Sequence, residues 1–220
     1  MTKRWATFDC YGTLIDWMGG IRQTLEDIWP EHDAELLLSA YHEVEPEVTR
    51  GRSIPYRQVL AESLERVAHR EGLELDDEDR PALADSLPTW PPFPEVPRAL
   101  AQLRDHGWRL AILSNTDPDL LDASLESIGV PVDLRVTAAE AGSYKPAHGH
   151  WERFFELSGA QRDRHVHVAA SLFHDIAPCR ELGLTAVWIN RLAETSDLPR
   201  AAEITDLASL PATLDRLVAA

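Results

Sequence analysis

Four apolar or β-branched runs punctuate this 220-residue chain, at residues 5–8 (WATF), 108–113 (WRLAIL), 165–171 (HVHVAAS) and 184–189 (LTAVWI). Turn residues and then a helical pattern follow each of them. Parallel strands cannot be joined by a tight turn and need a long crossover, usually a helix. A repeated strand–turn–helix pattern therefore constrains the chain to a parallel sheet with helices on its faces. Residues 134–138 (LRVTA) add a further short strand, and apolar recurrence at three- and four-residue spacing predicts helices over 96–106, 119–128, 150–158 and 207–218. The expected fold class is α/β, a doubly wound parallel sheet.

The interval between the first two strands is far longer than an ordinary crossover. Residues 17–90 are helical in periodicity, and AELLLSAYHEVEPEV (34–48) and YRQVLAESLERVAHREGL (56–73) each carry one apolar stripe, as paired helices of a small bundle do. The proline-rich stretch 88–97 (PTWPPFPEVP) reads as the return hinge, interrupting regular structure. The chain thus divides into a core of residues 1–15 and 92–220 and an inserted helical segment, 16–91. An acidic run, ELDDEDR (74–80), reads as a solvated helix start. This length supports one core and one insertion, hence one catalytic unit.

Lys and Arg number 21 against 37 Asp and Glu, a net charge of −16 that disfavours nucleic-acid backbones and anionic membrane surfaces. The expected partner is a small molecule. If it is anionic, a local cation or helix N-terminus must override the overall field. Cys10 and Cys179 are too few for a disulfide framework and have no metal-like spacing. The N-terminus reaches Asp9 before any signal-peptide apolar region forms, and no stretch is long and apolar enough to span a bilayer. A reducing cytoplasm is the expected compartment.

Ligands of parallel sheets bind beyond the carboxyl ends of the strands, so residues just after each strand should converge on one site. Asp9 follows the first strand, Ser114 and Asn115 the second, and Asp175 the run at 165–171, while Lys145 sits in the loop GSYKPAHGHW. A nucleophilic carboxylate, a hydroxyl and amide to hold a substrate, a fixed cation and a second carboxylate are the parts expected of covalent hydrolysis through an aspartyl intermediate.

In order along the chain, DCYGTL (9–14), LSN (113–115), SYKP (143–146) and VAASLFHD (168–175) resemble the four motifs of the haloacid dehalogenase superfamily, and within it the L-2-haloacid dehalogenases of type II. The resemblance spans nearly the whole chain and implies a Rossmann-like core, a helical cap formed by the insertion, and a homodimer. Phosphatases of that superfamily carry a second acid two places after the first, because a departing alkoxide must be protonated. Halide needs no proton, so Tyr11 can occupy that place and its ring can shape an apolar pocket. Those phosphatases also carry an acidic residue in the fourth motif that helps hold Mg²⁺, where this chain has Ala170. No metal and no cofactor are expected.

For the remaining residues the resemblance implies specific roles. Asp9 attacks the α-carbon of a short 2-haloacid carboxylate, releasing halide and forming an ester, and water positioned by Asp175 then frees a 2-hydroxy acid. Thr13 orients Asp9, Lys145 stabilises its charge, and Ser114 holds the substrate carboxylate, with Asn115 and Ser171 beside it. A Mg²⁺-dependent phosphatase with an altered acid, or a catalytically silent binding protein, are the alternatives. Type II members carry an Arg on an early cap helix that receives halide; residues 36–48 contain none, and Arg50 and Arg52 follow. Ala170, Leu172 and Trp151 stand where the family has Ser, Asn and Tyr, which makes the pocket more apolar. His174 either helps position water or packs, and Trp17 either lines the mouth between core and cap or packs. His165 and His167 share one strand face, and His148 and His150 flank Gly149; with no third ligand at suitable spacing, these read as structural histidines rather than a zinc site.

Overall fold

A strand whose residues are buried at every position must be covered on both faces, and Arg4–Phe8 (β1) has that pattern at the centre of the sheet. The computed structural model describes residues 3–52 and 54–220. Trp108–Ser114 (β2) and Leu134–Thr137 (β3) extend the sheet on one side of β1. His165–Ala169 (β4), Ala186–Ile189 (β5) and Ala202–Ile204 (β6) extend it on the other, every pairing parallel. The chain leaves β1 in one direction and returns to build the other, so a topological switch point lies between β1 and β4, where ligands of such sheets bind.

The doubly wound parallel sheet is the one expected. Its sixth strand was not foreseen: three half-exposed edge residues carry no apolar run to announce it.

Between β1 and β2 the chain forms Trp17–Ile28 (α1), Ala34–Thr49 (α2), Tyr56–Glu71 (α3) and Ala82–Ser86 (α4). The layers on the sheet are Val96–Asp105 (α5), Pro118–Ile128 (α6), Ala138–Ala141 (α7), Gly149–Ser158 (α8), Ala177–Glu181 (α9) and Leu210–Leu217 (α10). Alternation along the strands sorts side chains between two cores. Ala6, Phe8, Ile112 and Val168 join Tyr41, Val59 and Leu64 of the inserted helices in one. Trp5, Ala111 and Leu113 join Trp151, Phe154 and Trp188 in the other. Among the described residues no helix is long and apolar enough to cross a membrane.

Two sequence expectations need correction. The acidic run 74–80 is a solvated turn rather than a helix start, and α4 begins only at Ala82, since the run offers no apolar stripe to bury. The proline-rich return is more regular than expected: a 3-10 turn covers Leu87–Thr89, and α5 starts at Val96 with Pro97 in its first turn, where the missing N–H has no helical partner to lose.

Candidate active site

Asp9 emerges at the carboxyl end of β1 into a tight loop closed by the Gly12 N–H on the Ile15 carbonyl (2.8 Å) and the Leu14 N–H on the Cys10 carbonyl (2.7 Å). Gly12 sits at φ +87°, and a Cβ there would come 2.7 Å from Trp17 Nε1, so conformation and space both call for glycine. The loop folds Thr13 back on the carboxylate. Its hydroxyl donates to Asp9 Oδ2 (2.9 Å) and accepts from the Ala170 N–H (2.9 Å), tying the two sides of the switch point together.

Lys145 reaches the site from the loop before α8. Its main chain is gripped at both ends by Asn115, whose Oδ1 accepts the Lys145 N–H (2.7 Å) and whose Nδ2 donates to the Lys145 carbonyl (3.2 Å). With the backbone fixed, Nζ spends its three protons on Asp9 Oδ1 (2.7 Å), Asp175 Oδ1 (2.7 Å) and the Leu113 carbonyl (2.9 Å). One cation thus bridges two carboxylates, all buried.

The pair is not symmetric. Burial raises the pKa of Asp9, and the Asp175 charge adds to that effect against the opposing pull of Lys145. Burial also pushes Asp175 up, but Lys145 and the hydrogen bond from His167 Nε2 (3.0 Å) outweigh it and hold Asp175 well below the ordinary carboxylate range. For Lys145, burial favours loss of the proton, yet the charges of Asp175 and Asp9 raise its pKa, so the ammonium stays charged. The site therefore holds Asp9, oriented by Thr13 and Lys145, beside a second carboxylate kept free of protons.

The other expected residues divide. Tyr11 donates its hydroxyl to Ser124 Oγ (2.9 Å), which passes a bond on to the Leu120 carbonyl, and its ring stands edge-on to Trp90 at 6.1 Å. Burial raises its pKa far above the usual phenol value, so it is held neutral. Ser114 closes β2 and is buried. Ser171 caps the turn Leu172–Ile176 by accepting the His174 N–H (3.0 Å), and the His174 ring returns to Ser171 Oγ (3.2 Å) with its pKa lowered by burial. Trp17 packs between the Gly12 loop and α2, 5.1 Å from the His42 ring.

Two assignments change. Asn115, expected to touch substrate, has both ends of its amide committed to Lys145. Trp151, expected to line the pocket, is fully buried in the core beneath the sheet, 5.3 Å from the His167 ring. Arg52 is no substitute for a cap arginine near Asp9: its guanidinium is spent on Glu62 (2.5 and 2.9 Å). A surface groove of about 680 Å³, lined by Ser143, His148, Glu152, Phe173 and Glu181, includes none of the carboxylate–lysine cluster, and Asp9 itself is 8% exposed.

A hard cation does not fit this donor set. Asp9 and Asp175 direct an oxygen each onto one ammonium, positions 11 and 170 are Tyr and Ala, and among the described residues no group of three or more His, Cys, Asp or Glu is placed to hold a metal.

Sequence reasoning missed Thr7 and His167 as site residues. The alternating His165 and His167 in an apolar strand were the available signal, but their partners appear only once β1 and β4 are paired with Thr7 level with His167.

The switch point of this doubly wound α/β sheet thus holds a lysine-bridged pair of aspartates. The family model for haloacid dehalogenase-like hydrolases matches residues 3–183, and the chain belongs to that family of hydrolases. It is 29% identical to the (S)-2-haloacid dehalogenase of Pseudomonas sp. strain YL over 191 residues, covering 84% of this chain and 81% of that protein. It is 28% identical to haloacetate dehalogenase H-2 of Moraxella sp. strain B over 190 residues, covering 84% of each. The crystal structure of an L-2-haloacid dehalogenase superposes with a TM-score of 0.88 at 26% identity, over 98% of this chain and 100% of that one.

Proposed function

We propose that the chain is a 2-haloacid dehalogenase in which Asp9 is the nucleophile and residues 16–91 act as the cap over it. The observation that carries this reading is Lys145 Nζ at 2.7 Å from both Asp9 and Asp175, with a neutral Tyr11 where a proton donor would otherwise stand. An Asp9 oxygen attacks C2 of the substrate; the C–O bond forms as the carbon–halogen bond breaks, inverting C2 and expelling halide. Water then attacks Cγ of the ester and gives a proton to Asp175. Collapse of the tetrahedral centre breaks the bond from Cγ to the ester oxygen, an oxygen that Asp9 itself supplied; it takes the proton from Asp175 and leaves with the substrate carbon as a 2-hydroxy acid. Asp9 emerges protonated and loses that proton to solvent, so each turnover yields halide, one proton and the hydroxy acid.

Lys145 lowers the cost of both anionic states, and Ser114, at the end of β2, is the group proposed to hold the substrate carboxylate. Tyr11 suits a leaving group that departs as a stable anion, because its proton is tightly held and its hydroxyl is turned to Ser124. Halide release from L-2-chloropropionate and chloroacetate in EDTA tests the reading. Wild-type enzyme is expected to release halide and 2-hydroxy acid in equal amounts and Asp9→Asn none. Equal silence of both, or Mg²⁺-dependent phosphate release from nitrophenyl phosphate, would contradict it.

A further inference from the structure

The two oxygens of Asp175 are used differently. Oδ1 accepts from Lys145 Nζ (2.7 Å) and His167 Nε2 (3.0 Å), whereas Oδ2, equally shielded, has no partner among the described residues. Behind His167 the bonds continue through the sheet. His167 Nδ1 lies 2.8 Å from Thr7 Oγ1, and the same hydroxyl lies 2.8 Å from His165 Nε2. Asp175, His167, Thr7 and His165 form one buried chain running from the site into the core.

Donor and acceptor counting gives the chain a direction. An ionised carboxylate only accepts, so His167 Nε2 carries a proton. His167 Nδ1 then accepts from the Thr7 hydroxyl, and the Thr7 oxygen accepts Nε2–H of His165, which burial keeps neutral by pushing its pKa down to about 3. This leaves a bare lone pair on His165 Nδ1, which has no partner among the described residues. The reverse direction would strand an N–H there, or aim a lone pair at the carboxylate, and either is costlier in an apolar core. The rings have little freedom to turn, with Trp151 5.3 Å from His167, and Phe154 and Phe155 5.2 and 5.1 Å from His165.

We propose that His167 is a positioning residue for the ester-hydrolysis half of the reaction, with Thr7 and His165 fixing its ring so that Asp175 keeps Oδ1 on its donors and leaves Oδ2 as the unpaired oxygen that takes the proton of the attacking water. This inference rests on the dehalogenase reading above. Because Nε2 already bears its proton, His167 cannot take the one that Asp175 removes from water; that proton comes and goes through Oδ2. The chain therefore supports hydrolysis by holding the base. It has no partner role in the attack of Asp9 on carbon.

A single-turnover experiment with L-2-chloropropionate separates the halves, with rapid halide detection reporting attack and intact-mass spectrometry reporting the Asp9 ester. His167→Leu is expected to keep the halide burst within about twofold while ester decay and kcat fall about tenfold or more, a part of what a general base supplies. KM falls with kcat because ester accumulates, and His167→Gln, which retains a donor, recovers part of the loss. Thr7→Val, close to wild type in shape, is expected to slow ester decay several-fold and carries the same test should His167→Leu fail to fold. Ester decay at the wild-type rate in both His167→Leu and Thr7→Val, or burst and decay falling together, overturns the inference. A wild-type enzyme that forms no ester on Asp9 instead overturns the dehalogenase reading and the inference with it.

Discussion

Lys145 is the residue on which the site's charge balance turns. With its ammonium removed, as in Lys145→Met, two carboxylates stay buried without a cation, which costs about 3–5 kcal/mol of stability at neutral pH. Both acids then have folded-state pKa values above their unfolded ones. The penalty is therefore full above the folded pKa and relieved as pH falls and the acids take up protons, so the gap between variant and wild type narrows on acidification. Denaturant unfolding at pH 7.5 and 5 checks this; a gap that stays constant contradicts it. Asp9, Lys145 and Asp175 were legible in the sequence because each lies just beyond a strand or in a loop that can reach a strand end, whereas Thr13 was pointed to only by the family resemblance. Asn115 and Trp151 were legible as neighbours of the site but not in their contacts, since the path of the loop around Lys145 decides where their side chains go. Thr7 and His167 lie inside strands, where alternation announces only burial.

Between elements, the inserted helices are latched to the core. The N-terminus of α3 has no side-chain cap of its own, and Asp117, just before α6, supplies one across the interface by accepting the Tyr56 and Arg57 N–H groups at 2.8 and 2.9 Å. Tyr144, next to Lys145, donates to the Ile54 carbonyl (2.7 Å) on the same segment. Asp117→Ala is expected to cost about 1 kcal/mol, as loss of a helix cap does. If the inserted helices act as the proposed cap, it should raise KM several-fold by loosening them from the core, with faster amide exchange at residues 54–60 as the independent check. Gly20 shows the same closeness of packing: a Cβ there would sit 2.3 Å from the Trp90 ring. Gly20→Ala should thus destabilise by about 1–3 kcal/mol despite the better helix propensity of alanine, measurable as a lowered Tm. Strands of four or more residues and the two long inserted helices could be read from periodicity. Edge strand β6 and the turn at 74–80 could not, because tertiary pairing, and not their own pattern, decides them.

Over the whole molecule two fields act. Burial lowers His150 to about 4 and His165 to about 3, against about 6.5 for an unfolded histidine. Between these values the unfolded chain binds protons that the folded one refuses, so stability is full above about pH 6.5 and drops by about 1.4 kcal/mol per pH unit per histidine below it. Relief of the −16 net charge opposes this, but carboxylates mostly protonate below about pH 5, so unfolding midpoints should fall between pH 6.5 and 5. That same negative field repels an anionic substrate, and kcat/KM for a 2-haloacid is expected to rise with added salt at low ionic strength, where a neutral substrate would show no change. A covalent ester on Asp9 leaves an isotopic mark. Enzyme turned over once on excess protein in H₂¹⁸O, digested and examined by mass spectrometry, should carry ¹⁸O in the peptide containing Asp9 while the first-formed hydroxy acid stays unlabelled. Label entering the product directly, with Asp9 unlabelled, would contradict it.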